Sequence, residues 1–65
     1  MRIRINGDWQ QREEGTVAEL VSALGIEPTR CAVERNKELV PRGRHAETSL
    51  AEGDEVEIVT LVGGG

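Results

Sequence analysis

The chain closes on Leu61-Val62-Gly63-Gly64-Gly65. Consecutive glycines have no side chain to pack and lose the most backbone entropy on ordering, so they extend a strand poorly. They suit an arm, because a segment without Cβ atoms can enter a narrow channel in another protein. From Val62 to Gly65 such an arm reaches roughly 13–14 Å. At its tip sits an α-carboxylate, ionised at neutral pH given a reference pKa of about 3.3–3.7. A thin arm with one reactive group at its end is the chemistry of a substrate handed between enzymes. The alternative reading is a frayed or appended terminus without function.

Few other residues could do chemistry. Cys31, the single cysteine, sits at the start of an apolar alternation, where a small core residue is the stronger reading than a nucleophile. His45 lies among Arg42, Arg44 and Glu47, which predicts a solvated surface histidine. Arg42-Gly43-Arg44 lacks the lysine and the strand–loop–helix setting of a phosphate loop. Trp9, the one aromatic residue, is either a partner contact, since tryptophan is enriched at interface hot spots, or packing on a sheet. Val59 and Leu61 alternate with Val56 and Ile58. They therefore face away from the core side, as a docking patch or as part of a buried edge.

The elements that must position these groups are short. Met1, Ile3 and Ile5 alternate with Arg2, Arg4 and Asn6, a half-buried strand. Asn6-Gly7 is a strong hairpin-turn signal, and Trp9 to about Glu13 returns as a polar edge strand. Thr16 and Glu19 have capping-box spacing. Val17, Leu20, Val21 and Leu24 form one apolar stripe, so a helix is predicted over Thr16–Leu24. Gly25 is placed to end it in a left-handed cap, with Ile26 packing back and Pro28 blocking continuation. Cys31–Arg35 and Glu38–Val40 read as strands around an Asn36-Lys37 turn. Residues 42–49 read as polar and irregular, and Leu50 as an isolated apolar anchor. Glu52-Gly53-Asp54 turns into a last strand, Glu55–Leu61. The strong alternation of the first and last strands makes both central, and the long path between them lets them run parallel. One helix on one face of a small mixed sheet of four to five strands is an α+β plan, that of the β-grasp or ubiquitin-like fold. The domain is expected over 1–61, with 62–65 as a flexible tail.

Composition limits the function classes. At 65 residues only about 60% of the unfolded surface can be buried, which leaves little volume for a deep pocket. A carrier, binding module or subunit is expected rather than a self-sufficient enzyme. One cysteine and one histidine make neither an internal disulfide nor a four-ligand zinc site. That fits a reducing compartment, and the N-terminal residues lack the apolar run of a signal peptide. No stretch approaches the about 18 apolar residues of a membrane span, so the cytoplasm and no membrane partner are expected. Twelve acidic against eight basic residues give a formal net charge of −4. With no basic stripe and no stacking aromatics, nucleic acid is not an expected partner. The charge fits docking onto a basic protein surface.

Together these residues resemble the ThiS-type sulfur carriers, a branch of the ubiquitin-like sulfur carrier family. The resemblance rests on length, Asn6 ending the first strand, Gly15-Thr16-Val17-x-x-Leu20 and Val40-Pro41-Arg42. Leu50-x-x-Gly53-Asp54-x-Val56 and the terminal glycines complete it, so that it covers essentially the whole chain. One departure is Glu34-Arg35, where the family usually has small or apolar residues. The resemblance implies a carrier for thiamine biosynthesis that is itself no enzyme and is expected to be monomeric when free. An adenylating enzyme related to ubiquitin-activating enzymes would use ATP and Mg²⁺ to convert the Gly65 carboxylate to an acyl-adenylate. Sulfur from a persulfide donor protein would then replace AMP, giving a thiocarboxylate for thiazole synthase. Gly65 and Gly64 would serve the chemistry, and Gly63, Val62, Leu61 and Val59 the binding; the carrier would hold no cofactor or metal itself. The alternatives are a molybdopterin-synthase small subunit, a carrier for tRNA thiolation or another ubiquitin-like conjugation, and a plain interaction module.

Overall fold

Alternating Ile3 and Ile5 drive β1 (Arg2–Ile5), whose apolar side is fully or nearly fully buried. Asn6 and Gly7 both take positive φ, 48° and 88°. Such left-handed pairs match the twist of a two-residue hairpin, and β2 (Asp8–Gln11) returns antiparallel with Arg4 opposite Trp9. The structure, a computed structural model, describes residues 1–61. Val62, Gly63, Gly64 and Gly65 of the expected tail lie outside the described residues.

The helix α1 (Val17–Ala23) is shorter than the predicted span because Thr16 and Leu24 serve as its caps. Thr16 Oγ1 accepts from the Glu19 N–H at 3.1 Å. The reciprocal half of the capping box differs: Glu19 Oε1 meets the Thr16 hydroxyl, at 3.2 Å, and not its N–H. Tertiary contacts satisfy the other free donors, with Val17 N–H on the Thr48 carbonyl and Ala18 N–H on the His45 carbonyl. At the far end Gly25 has φ 73°. Gly25 N–H donates to Ser22 O and Ile26 N–H to Val21 O, the paired bonds of a Schellman cap.

The remaining strands are β3 (Cys31–Arg35), β4 (Glu38–Val40) and β5 (Glu55–Thr60). They complete a five-stranded sheet in the order β2-β1-β5-β3-β4. β1 and β5 run parallel at its centre and every other pair is antiparallel. This is the β-grasp arrangement expected from the sequence. Val17, Leu20 and Val21 of the helix meet Ile3, Ile5, Val33, Val56 and Ile58 of the sheet, with Val40 and Leu50 closing the ends. Cys31 is only half-buried, packed at the margin of this core.

The segment after β4 departs from expectation. It starts with a 3₁₀ turn (Arg42–Arg44), and His45 is buried, 4% exposed, rather than solvated. Two bonds explain this. The His45 carbonyl caps the helix at Ala18, and its ring Nε2 lies 3.1 Å from the Val40 carbonyl. A histidine amid charged neighbours in sequence is thus drawn inward by the free N–H groups of a helix start.

Candidate functional site at the end of β5

β5 precedes the terminal glycines in sequence, so what holds β5 bears on where that segment starts. In strands, successive backbone groups address opposite edges. On the β1 side, the Asp54 carbonyl accepts from Arg4 N–H and the Val56 carbonyl from Asn6 N–H, both at 2.9 Å. On the β3 side, the Glu55 carbonyl accepts from Asn36 N–H and Leu61 N–H donates to the Arg30 carbonyl, both at 2.7 Å. β1 ends at Ile5, opposite Val56. At the next rung the Asn6 side chain takes over: Oδ1 accepts from Ile58 N–H at 2.7 Å and Nδ2 donates to the Ile58 carbonyl at 3.1 Å.

The start of β5 is held by a second asparagine. Asn36, in the β3–β4 turn, has φ 52°. Its Oδ1 accepts from Glu55 N–H and its Nδ2 donates to Asp54 Oδ1, each at 3.0 Å. Asp54 Oδ2 also accepts from Ala51 N–H at 2.8 Å and from Arg35 Nη1 at 3.3 Å. Burial pushes the Asp54 carboxyl up, but the hydrogen bonds from Asn36, Ala51 and Arg35 outweigh it and hold its pKa below the usual carboxylate value. Arg35 is half-buried here as the partner of Asp54.

The sheet face away from the helix is open. Strand register places Arg2, Arg4, Trp9, Glu55, Glu57, Val59, Ala32, Glu34 and Leu39 on it. Val59 is 60% and Leu61 56% exposed, as a docking patch requires and an edge-buried reading does not. Leu39 joins them as a further exposed apolar residue. Glu34 stands directly opposite Glu57, and like charges so placed repel. The face is thus apolar and acidic near the end of β5. Trp9 is half-exposed at the opposite edge, with the Arg2 guanidinium 4.6 Å from its ring centre.

The other sequence candidates do not converge on this site as chemical groups. Burial, and then the charge of Glu27, raise the Cys31 pKa, which disfavours the thiolate a nucleophile needs. Arg42-Gly43-Arg44 forms the 3₁₀ turn beside His45. Of the expected site residues, Val59 and Leu61 are described, while Val62, Gly63, Gly64 and Gly65 are outside the described residues. Sequence reasoning missed the side-chain roles of Asn6 and Asn36. Their signal was present as asparagine at a turn start, but it was read only as backbone geometry.

The ThiS family profile matches residues 3–65. The chain belongs to the ThiS family. The sulfur carrier protein ThiS of Bacillus subtilis is 36% identical, the match covering 97% of this chain and 98% of that one. Thiazole synthases of Magnetococcus marinus and Paramagnetospirillum magneticum are 44% and 39% identical across the whole of this chain, which spans only 20% of their length. The crystal structure of the thiamine biosynthesis protein ThiS from Geobacter metallireducens superposes with a TM-score of 0.84 at 32% identity, with full coverage of both chains. These 65 residues therefore form a module of the ThiS family. Among the described residues, no helix is long and apolar enough to cross a membrane.

Proposed function

We propose that this ThiS-family chain carries sulfur as a thiocarboxylate on Gly65 and delivers it for thiazole formation. The observation that carries the proposal is the family match extending through the terminal glycines, which follow in sequence a strand held at both edges as far as Ile58. A carboxylate is a poor electrophile. An adenylating enzyme of the ubiquitin-activating type would therefore join the Gly65 carboxylate to AMP with ATP and Mg²⁺, releasing pyrophosphate. The terminal sulfur of a partner's persulfide then attacks the carbonyl carbon, and a C–S bond forms as the C–O bond to AMP breaks. A thiol cleaves the resulting S–S bond, leaving the thiocarboxylate and a disulfide. Such ATP and thiol supply fits the cytoplasm.

Thiazole synthase is the proposed recipient. Two thiazole synthases contain a segment matching this whole chain. Sharing one polypeptide raises the effective concentration of one partner at the other, a benefit only if the two act together. The docking surface proposed for the adenylating enzyme is the open face at Val59 and Leu61, with Glu34 and Glu57 as its charged flank.

Intact-mass spectrometry tests this. The chain is incubated with the cognate adenylating enzyme, ATP, Mg²⁺ and a persulfide donor. The expected result is the mass gain of one oxygen exchanged for sulfur, absent when ATP is omitted and absent when one residue is added after Gly65. A chain that never gains this mass, or an extended tail that gains it equally, overturns the proposal.

A further inference from the structure

The β1–β5 ladder contains a substitution that no strand assignment records. In a parallel ladder, a residue's N–H and carbonyl bond to two positions of the neighbouring strand that flank its partner. Arg4 and Asn6 follow this rule with their N–H groups, on Asp54 and Val56. Had β1 continued, the carbonyl of Asn6 would take the Ile58 N–H and a later N–H would reach the Ile58 carbonyl. The turn at Asn6-Gly7 diverts the backbone before either bond can form. The Asn6 carboxamide replaces both, at 2.7 and 3.1 Å, across 52 residues of sequence. A carboxamide can do so because it carries one acceptor and a donor pair spaced as in a peptide group. The next position addressing this edge is Thr60, where no strand stands opposite. Asn6 is thus the last hold on β5 from the β1 side among the described residues, and the residue it holds, Ile58, stands seven positions before Gly65.

We propose that Asn6 is a positioning residue for the chemistry at Gly65. It acts through β5, fixing the direction in which the strand leaves the domain and hence where the tail starts relative to the docking face. This rests on the sulfur-carrier reading above. A tail that must thread a confined site tolerates little error at its root, since about 1 Å of misplacement can cost on the order of a hundredfold in rate.

The test separates positioning from stability. Asn6→Gly keeps the positive φ without strain and removes both bonds. Asn6→Asp keeps the acceptor but sets an oxygen against the Ile58 carbonyl. Val21→Ala removes core volume on the helix, beneath the sheet, and keeps both Asn6 hydrogen bonds to Ile58. Each 65-residue variant is assayed for ATP-dependent activation by the cognate adenylating enzyme at a temperature where it is folded, with amide exchange measured at Ile58 and Leu20. For Asn6→Gly we expect exchange at Ile58 to rise about tenfold or more with Leu20 still protected. We also expect kcat to fall about tenfold while KM for the carrier changes less, as for a group acting at the reaction rather than at docking. Asn6→Asp should fall between it and wild type, and decides the matter if Asn6→Gly does not fold. Val21→Ala should lower stability and leave kcat unchanged. A kcat within twofold of wild type in the folded asparagine variants, or an equal fall in Val21→Ala, overturns the proposal. Failure of the wild type itself to be activated overturns the carrier reading instead, and this one with it.

Discussion

Two asparagines, each starting a left-handed turn, grip opposite ends of β5, and they do so differently. Asn36 works at the start of the strand through a charged cluster, bonding Asp54 and Glu55 beside Arg35. Asn6 works near its end, with two neutral bonds to the backbone of one residue. The start is held by many groups, so it is part of what makes the domain fold. The end is held by one side chain on one edge and by β3 on the other, so it governs how the tail is presented. The lesson is that one residue type at one turn geometry can serve stability in one place and delivery in another, depending on what lies across from it.

The most severe way to break this contrast is at the tail itself. Gly64→Ala adds a Cβ and restricts φ. It should abolish thiocarboxylate formation, as should removal of Gly65, while the thermal midpoint stays at the wild-type value. Mass spectrometry and circular dichroism on the same samples check both halves. A coupled loss of fold and chemistry would erase the distinction between holding and delivering.

The largest stability effect should come from the core beneath both ends. Leu20 is fully buried, and Leu20→Ala is expected to cost about 2–5 kcal/mol by denaturant titration. A loss below about 0.5 kcal/mol would mean the helix does not carry the core.

The start of β5 should answer next. Asp54→Asn removes a carboxylate that accepts from three partners, and hydrogen bonds to a charged group contribute about 1.5–3 kcal/mol each before the costs of burial are subtracted. We expect a net destabilisation of about 1–2 kcal/mol at neutral pH. The folded-state pKa of Asp54 lies below its unfolded value. Its contribution is therefore present above the unfolded pKa, about 3.9, and is lost as pH falls through the depressed folded value. The stability gap between wild type and Asp54→Asn should narrow on acidification. A gap that widens toward acid would show that the carboxylate is not the stabilising form.

The smallest effect concerns the open face. Glu34→Gln and Glu57→Gln should slow association with the adenylating enzyme severalfold at low salt, and the difference should shrink as salt screens charge over about 8–10 Å. Association rates that stay flat across a salt series would leave Val59, Leu61 and Leu39 as the determinants of docking.

How much of this was legible depends on whether the cause was local. The helix ends were readable because their causes are: Thr16 three residues before Glu19, and glycine after the last apolar position. Both appear in the structure, with half of the capping box rearranged because the segment around His45 and Thr48 supplies carbonyls to the same helix start. The burial of His45 was not readable, since its neighbours in sequence are charged and its partners, Val40 and Ala18, come from other elements. Alternation alone put Val59 and Leu61 on the face away from the helix, but their exposure, the addition of Leu39 and the facing pair Glu34 and Glu57 needed the folded sheet and the register of β3 against its neighbours.

The sequence by itself determined the strands and the helix, the central place of the first and last strands, the apolar face that meets the helix, and the family resemblance with its terminal glycines; it allowed a parallel pairing of those two strands without fixing it. Period-2 and period-3.6 patterns and turn residues act over a few positions, and they survive folding unchanged. Only the tertiary structure decided that the two turn asparagines are also strand partners. A carboxamide has no preferred target in the chain sequence. Which backbone it completes is settled when β1 and β5, paired across 51 residues of sequence, come to lie side by side and one stops a rung short of the other.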